Sequence, residues 1–350
     1  METANAVMKM AELSERRGAI LKVVVGEYIV TGVPVASESV ARGYSLGVGP
    51  ATIRSEMAHL EEQGYIERPH TSAGGVPSDR GYRYYVGCLM NGAKISQRER
   101  RAIHRLFDQV EREPDEWARL AVSVLTDRLR SIAIATPPRA AGCHLRRLEL
   151  VSLQDLMVMV VIVLQEGRVK QRLIGLEQGV SQGELASVAN RLNEAYRGGD
   201  YAGIHRRARE MRLSPIEERI TDVMVQVMES EDNQGYERCF LDGWRYLVGH
   251  EELIGRQRML YLVEALEERS VLNRLLRAFR DGAGIRITIG GENSDLALQE
   301  CSVILSNYGA GGIRGTIGVI GPTRMPYNRA VPMLEYVSAV MSELVGSVYA

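Results

Sequence analysis

The stretch GPATIRSEMAHLEEQGYIERPHTSAGGVPSDRGYRYY, Gly49–Tyr85, predicts a helix, a tight turn and a short hairpin. Pro50 suits the first position of a helix, because proline lacks the N–H group that would be unpaired there. Gly64 is placed to end the helix in a left-handed conformation. Between them one apolar stripe recurs at helical spacing, formed by Ile53, Met57 and Leu60. The stretch therefore predicts an amphipathic helix over residues 50–63.

A basic hairpin is predicted directly after this helix. Residues 65–68 favour a strand, and residues 70–77 are rich in Gly, Ser, Thr and Pro, which is typical of a loop. Within 68–83, three arginines and His70 face one acidic residue, Asp79. A helix followed at once by such a hairpin is the sequence form of a winged helix-turn-helix, so the stretch predicts DNA binding.

The helix face opposite the apolar stripe carries small and hydrogen-bonding side chains. Small residues allow a helix to enter the major groove, where Ser55 is expected to read a base edge. Arg54 and Arg83 are expected to contact phosphates, which fixes register without reading sequence. An ordinary surface helix and a solvated patch are the alternatives. The residues predicted to contact DNA are Thr52, Arg54, Ser55, His59, Arg68, His70, Thr71, Ser72, Arg80 and Arg83.

The rest of the chain predicts an α+β fold in several domains. Helices over 14–31 and 37–41 complete a small N-terminal domain. Strand patterns around 145–175 and 285–320 most simply form one antiparallel sheet, since no regular βαβ alternation favours a parallel one. A helix-rich segment interrupts these strands. The predicted domains are 1–90, then 91–199 together with 257–350, and an inserted domain over 200–256.

The inserted segment is predicted to make the dimer. It carries an apolar stripe that so short a segment is not expected to bury alone. The predicted dimer interface consists of Ile216, Ile220, Val223, Met224 and Val227.

Composition limits the classes of function. The net charge is −1, and the first 90 residues hold nine Lys and Arg against ten Asp and Glu, so DNA affinity must come from local patches. Four scattered cysteines fit a reducing cytoplasm. The longest apolar run, Leu156–Leu164, has nine residues, whereas a membrane helix needs about 20. We therefore expect a cytoplasmic location without a membrane partner.

No motif with catalytic or metal-binding spacing stands out. The six histidines are dispersed, and the adjacent pair Cys143 and His144 lacks an evident orienting carboxylate. The glycines at 309–315 suit a hairpin turn better than a phosphate loop, because no Lys-Ser/Thr follows them. We predict no enzyme activity, no cofactor and no metal. An enzyme with an appended DNA-binding domain is the less favoured alternative.

Two segments resemble one protein family. The stretch PATIRSEMAHLEEQGYIERPHTSAGGVPSDRGYRYYV, 50–86, is similar to the N-terminal signature of the heat-inducible transcription repressor family HrcA, and GVIGPTRMPYNRAV, 318–331, resembles its C-terminal segment. The resemblance implies a winged helix, a GAF-like domain and an inserted dimerisation domain. It also implies a dimer that binds double-stranded DNA at an inverted-repeat operator called CIRCE, with activity promoted by the chaperonin GroEL.

Three positions depart from the family pattern. Gly75 stands where arginine is usual, Ser55 where asparagine is common, and Ser78 where threonine is common. A missing arginine removes one potential contact of the hairpin, and Ser55 can alter the preferred operator. An alternative within the same fold is a winged-helix regulator whose GAF-like domain senses a small molecule.

Overall fold

A computed structural model of the protein describes residues 13–349, apart from 45–46, 71–72, 91–93, 111–112, 141, 155, 166–167, 177, 235–237, 249–255, 280–281 and 283. The chain forms two compact units. The first comprises Met1–Pro138 with Cys239–Ala350, and the second comprises Arg139–Arg238. Both units combine helices with antiparallel strands, so the predicted α+β class is confirmed.

The N-terminal part of the first unit is helical. Ser14 caps its first helix by accepting a hydrogen bond from the Arg17 N–H, as Ser residues at this position commonly do. Gly32 ends that helix with φ of 68°. The helices of this part are α1 (Glu15–Thr31), α2 (Ser37–Gly43), α3 (Pro50–Glu62) and α4 (Asp79–Tyr84), and a π-helical turn (Tyr85–Leu89) follows α4.

The hairpin is shorter than predicted, because each of its strands has only two residues. Strand β1 (Ile66–Glu67) pairs antiparallel with β2 (Val76–Pro77). Arg80 and Arg83 are not part of the hairpin. They lie beside it, in α4. That helix begins because the Ser78 side chain accepts a hydrogen bond from the Gly81 N–H, 3.1 Å away.

A second group of elements in the first unit surrounds an antiparallel sheet. Its strands run in the order β8 (Phe240–Asp242), β3 (Ile132–Ala135), β11 (Ile313–Pro322), β10 (Cys301–Ala310), β9 (Ile285–Ile289). The core of this sheet is continuous with the core beneath α1 and α3. The helices are α5 (Gln97–Asp108), α6 (Pro114–Leu129), α10 (Trp244–Val248), α11 (Arg256–Glu267), α12 (Ser270–Phe279) and α13 (Tyr327–Tyr349).

The second unit has a sheet and helices of its own. Its sheet has the order β5 (Leu145–Gln154), β6 (Met157–Leu164), β7 (Val169–Gly175). The Ser181–Glu184 capping box begins one of its helices. The short strand β4 (Arg139–Ala140) precedes β5, and the helices are α7 (Gln182–Tyr196), α8 (Tyr201–Glu210) and α9 (Pro215–Gln234).

The prediction of one sheet that joins the strands of 145–175 with those of 285–320 is wrong. The two groups form separate sheets, because α7, α8 and α9 bury one face of β5–β7 within the second unit. The compact units also divide the chain at 138/139 and 238/239, rather than at the predicted boundaries. The predicted partition into functional domains therefore stays a prediction.

The predicted dimer stripe lies in the core of its own unit. Ile220, Met224 and Val227 of α9 are buried there, and Ile216 and Val223 are half-buried against them. The stripe does not need a second subunit to cover it, because it lies in the apolar core that the helices and the β5–β7 sheet of this unit form together. The premise for this dimer surface is therefore wrong.

No helix among the described residues is long and apolar enough to cross a membrane. The described part of the chain also holds no group of three or more His, Cys, Asp or Glu side chains arranged to bind a metal ion.

Candidate nucleic-acid interface

Helix α3 presents one polar face to solvent. Its apolar stripe is buried as predicted, with Ile53 and Leu60 fully covered. On the opposite face Arg54, Ser55 and His59 are exposed, and Thr52 is half-buried. The structure thus brings these four predicted residues onto one helix.

Arg54 is paired with an acidic residue that the sequence analysis did not single out. Its Nη2 lies 2.7 Å from Oε1 of Glu38, in the first turn of α2. The pKa of Glu38 is below its ordinary value, first because the carboxylate accepts a backbone hydrogen bond and further because of Arg54. Arg54 remains 68% exposed, so its guanidinium can exchange this carboxylate for a phosphate.

Two further ion pairs position α3. Glu56 accepts a hydrogen bond of 2.7 Å from Nε of Arg17 in α1, and this contact is the main reason that the pKa of Glu56 is lowered. Glu61 lies 3.2 Å from Nε of Arg68. Arg17 and Arg68 are therefore already paired with carboxylates, so a count of basic residues overestimates how many are available to contact DNA.

The hairpin residues are only partly brought together. Arg68 follows β1 and is half-buried against Glu61, whereas His70 is exposed. Thr71 and Ser72, also predicted to contact DNA, lie outside the described residues. Arg54 and Arg68 both line a cavity of about 330 Å³, which also includes Ser37.

Gly75 is part of the frame of the hairpin. Its N–H donates to the Val35 carbonyl over 2.8 Å, and its own carbonyl accepts from the Val35 N–H over 2.9 Å. A Cβ atom at this position would lie 3.0 Å from side-chain atoms of both Met57 and Ile66. The arginine usual in the resembling family would therefore require small shifts of these two side chains.

Arg80 and Arg83 make contacts within the protein. Nη1 of Arg80 donates to the Gln63 carbonyl over 2.8 Å, and its guanidinium lies 4.6 Å from the ring centre of Tyr65. Nε of Arg83 donates to Glu292 over 2.7 Å, and its side chain is only 16% exposed. The proposed phosphate contact of Arg83 is thus replaced, in this structure, by an ion pair that joins residues distant in sequence.

The three buried thiols are poorly suited to nucleophilic chemistry. Burial raises the pKa of both Cys239 and Cys301 to about 12, so both are protonated at neutral pH. The Cys143 thiol is buried and donates to the Met228 carbonyl over 3.2 Å. The adjacent Cys143 and His144 therefore do not form a nucleophile and base pair.

An exposed helix face with an arginine near its start, set beside a short antiparallel hairpin, is the arrangement of a DNA-binding transcription regulator. Comparison with known proteins makes the class specific. A family model described as the HrcA protein C-terminal domain matches residues 115–331. The chain belongs to the HrcA family of heat-inducible transcription repressors, which confirms the resemblance read from two motifs. Since that family consists of transcription repressors, the chain is not an enzyme.

Relatives match along nearly the whole chain. The heat-inducible transcription repressor HrcA of Dehalococcoides mccartyi is 40% identical and covers 96% of this chain and 97% of its own length. The HrcA protein of Roseiflexus castenholzii is 38% identical and covers 97% and 96%. A crystal structure of a hypothetical protein at 2.2 Å resolution has a TM-score of 0.56 and 23% identity, over 96% of this chain and 98% of that one. This last similarity concerns the fold alone.

Proposed function

We propose that the protein represses heat-shock chaperone operons by binding an inverted-repeat operator of the CIRCE type. The observation that carries this proposal is the solvent face of α3, where Arg54, Ser55 and His59 are exposed together. Its relatives are named heat-inducible transcription repressors. Because its proposed ligand is chromosomal DNA, we also propose a cytoplasmic location.

In this proposal residues 1–90 act as a winged helix-turn-helix. Helix α3 enters the major groove with its N-terminal half first, as recognition helices do. The N-cap residue Gly49 offers no side-chain acceptor to the first turn, which favours an approach of phosphate to that end. Glu62 near the other end would repel phosphate, so the contacts concentrate near Thr52, Arg54 and Ser55.

We further propose that two copies bind the operator together through the second unit. One face of the β5–β7 sheet packs on helices, and the other face presents a row of apolar side chains to solvent beside a few polar ones. Val151, Met159 and Leu173 are directly opposite one another across the three strands, and Leu173 is 59% exposed. An exposed apolar face of this kind marks an interaction site, and a two-fold operator requires a self-complementary interface.

A gel shift with an inverted-repeat operator tests the proposal. We expect a complex of two chains on the full repeat, a much weaker complex on a scrambled repeat, and tighter binding when a GroEL-type chaperonin is added. Equal affinity for the operator and the scrambled DNA would exclude sequence-specific repression. A strong stabilising effect of a small molecule, without any response to chaperonin, would favour a metabolite-sensing regulator instead.

A further inference from the structure

The two segments that carry the family resemblance meet in the first unit. The rings of Tyr82, from the N-terminal segment, and Tyr327, from the C-terminal segment, lie 5.9 Å apart between their centres. Both side chains are buried. The Tyr327 hydroxyl donates to the Thr323 carbonyl and is 2.6 Å from the Ser302 hydroxyl, so the C-terminal segment presents a firmly held surface to α4.

A polar cluster lies beside this aromatic contact. Nε of Arg83 donates to Oε1 of Glu292 over 2.7 Å, Nη2 donates to the Ile287 carbonyl over 2.6 Å, and Nη2 also contacts Oε2 of Glu292. Oδ2 of Asp79 accepts from the Gly291 N–H over 2.7 Å. We call Asp79, Arg83, Ile287, Gly291 and Glu292 the α4 joint.

The α4 joint is built for close approach and directional bonding. Gly290 has φ of 53°, and a Cβ atom there would overlap the Asp79 carboxylate, so glycine is needed on both counts. Oε2 of Glu292 also accepts from the Ile289 N–H over 2.9 Å, which fixes the carboxylate before Arg83 binds it. Two-pronged arginine–carboxylate pairs are among the strongest and most orientation-specific contacts in proteins.

Helix α4 also holds the end of α3. The Ser78 hydroxyl at its start donates to the Gly64 carbonyl over 2.6 Å, and Arg80 donates to the Gln63 carbonyl. Gly81 packs so closely on the Tyr65 carbonyl that a Cβ atom would clash with it. Residues 78, 80 and 81 therefore bind the end of α3, whereas residues 79 and 83 bind the edge of the sheet after β9.

We propose that the α4 joint is a coupling element. It sets the orientation of α3 relative to the sheet that contains β9, and it thereby controls operator affinity. This inference rests on the proposed function. A dimer that binds two half-sites needs its recognition helices at a set separation and angle. A rigid joint supplies that preorganisation without touching DNA. Arg83 is accordingly a positioning residue and not a phosphate contact.

The contact between the two segments also carries a cost in free energy. Among the described residues, the buried Tyr82 hydroxyl and Nε of Arg324 have no hydrogen-bond partner. Burying a polar group without a partner costs free energy, so the closed interface is weakened next to its strongest bonds.

The test compares full-length wild-type protein with Arg83→Ala, Glu292→Gln and the double variant. Binding is measured to the full inverted repeat, to DNA with one half-site, and to repeats with altered spacing. We expect each single variant to weaken full-repeat binding by about 5- to 100-fold, the range of typical coupling effects, and to flatten the dependence on spacing. Half-site affinity should stay within about twofold, and the double variant should bind no worse than the singles.

The opposite pattern identifies a phosphate contact. If Arg83→Ala weakens binding to both DNAs and shallows the salt dependence, while Glu292→Gln binds as well as wild type or better, the α4 joint is not a coupling element. Unchanged affinity in both variants overturns the proposal as well. Arg274→Ala, which removes an ion pair with Asp295 elsewhere in the same unit, is the matched control and should leave full-repeat affinity unchanged.

A measurement without DNA separates this inference from the proposed function. The Gly291 N–H donates a hydrogen bond to the Asp79 carboxylate. Its hydrogen exchange should be faster in Arg83→Ala and in Asp79→Asn than in wild type. If wild-type protein binds neither operator nor half-site, the proposed function fails, but this exchange still tests the joint. If the exchange rate is the same in all variants and their melting temperatures are retained, Arg83 does not hold α4 against residues 287–292.

Discussion

Single arginines in this protein are distinguished by what they already bind. Arg54 is mostly exposed, and so is its partner Glu38. Arg83 is mostly buried and binds both the Glu292 carboxylate and the Ile287 carbonyl. A surface ion pair contributes little stability, so Arg54 can exchange Glu38 for DNA at little cost. The same residue type is therefore available to a ligand at one position and engaged within the protein at the other.

Arg54→Ala should weaken operator binding by about 1–2 kcal/mol, because a charge-assisted hydrogen bond to phosphate is lost. The slope of log affinity against log salt should become shallower by about 0.9, as expected for one phosphate contact. Titrations at several salt concentrations measure both quantities. Arg206→Ala, at an exposed arginine of the second unit, is the control, and a wild-type slope for Arg54→Ala would argue against a phosphate contact.

Glu38→Gln should act in the opposite direction. It removes a negative charge beside the DNA and releases Arg54 from its partner at 2.7 Å, so operator affinity should rise at low salt. The gain should shrink in the double variant with Arg54→Ala, because only the effect of the removed charge then remains. An equal gain in the presence and absence of Arg54 would mean that Glu38 acts only through its charge.

Ser55→Ala should change which bases are preferred and leave the salt dependence as it was. A serine hydroxyl that bonds a base edge contributes on the order of 1 kcal/mol, and that contribution depends on the base it faces. Binding to operators with single substitutions reveals the affected position. Ser187→Ala, on the exposed side of α7, is the control, and an identical preference at every position would exclude base reading by Ser55.

At the scale of elements, α3 is held by charge as well as by its apolar stripe. Glu56 binds Arg17 of α1, and Arg68 lies beside Glu61. Helix α4 then fastens the end of α3 through Ser78 and Arg80. These contacts explain why a nearly neutral N-terminal region needs so many arginines: several of them orient the helix that carries Arg54.

Acid should loosen the attachment of α3 to α1. The pKa of Glu56 is lower in the folded protein than its ordinary value of 4.5, first because Arg17 donates a hydrogen bond to it. A depressed folded pKa contributes stability above the unfolded pKa, and this stability is lost as pH falls from about 4.5 through the folded value. Urea unfolding at neutral and acidic pH should therefore show a smaller acid-induced loss in Glu56→Gln than in wild type. Glu15→Gln is the control, and an identical loss in Glu56→Gln and wild type would contradict the prediction.

At the scale of the whole molecule, the β5–β7 sheet belongs to the second compact unit. The β5–β7 sheet covers one face with its own helices and exposes Val151 and Leu173 on the other. The stripe on α9 that appeared to need a second subunit is already buried. The surface proposed for the dimer is consequently the outer face of a sheet and not the face of a helix.

If the proposed dimer forms through the outer face of the β5–β7 sheet, Leu173→Asp should be a monomer. A charge placed in the centre of an apolar self-complementary interface is repeated by the two-fold axis, so two carboxylates would be desolvated against each other. Light scattering after size exclusion measures the mass. Ala186→Asp adds the same charge on the exposed side of α7 and should remain dimeric, whereas a dimeric Leu173→Asp would place the interface elsewhere.

The sequence by itself determined the local elements around α3. Pro50, the apolar stripe and Gly64 act through neighbours along the chain, and their helix starts, is buried on one side and ends as predicted. The motif residues also sufficed to recognise the family. Local patterns succeed here because helix periodicity and capping depend on residues within a few positions of one another.

Only the tertiary structure decided which long-range partners each side chain finds. Arg83 and Glu292 are 209 positions apart, and no spacing in the sequence predicts that their charges cancel. The pairing of the strands and the burial of the α9 stripe differ from the predictions for the same reason. Strand alternation states which face of a strand is apolar, but not which element buries it. Packing across the chain thus leaves Arg54 exposed and pairs Arg83 with Glu292.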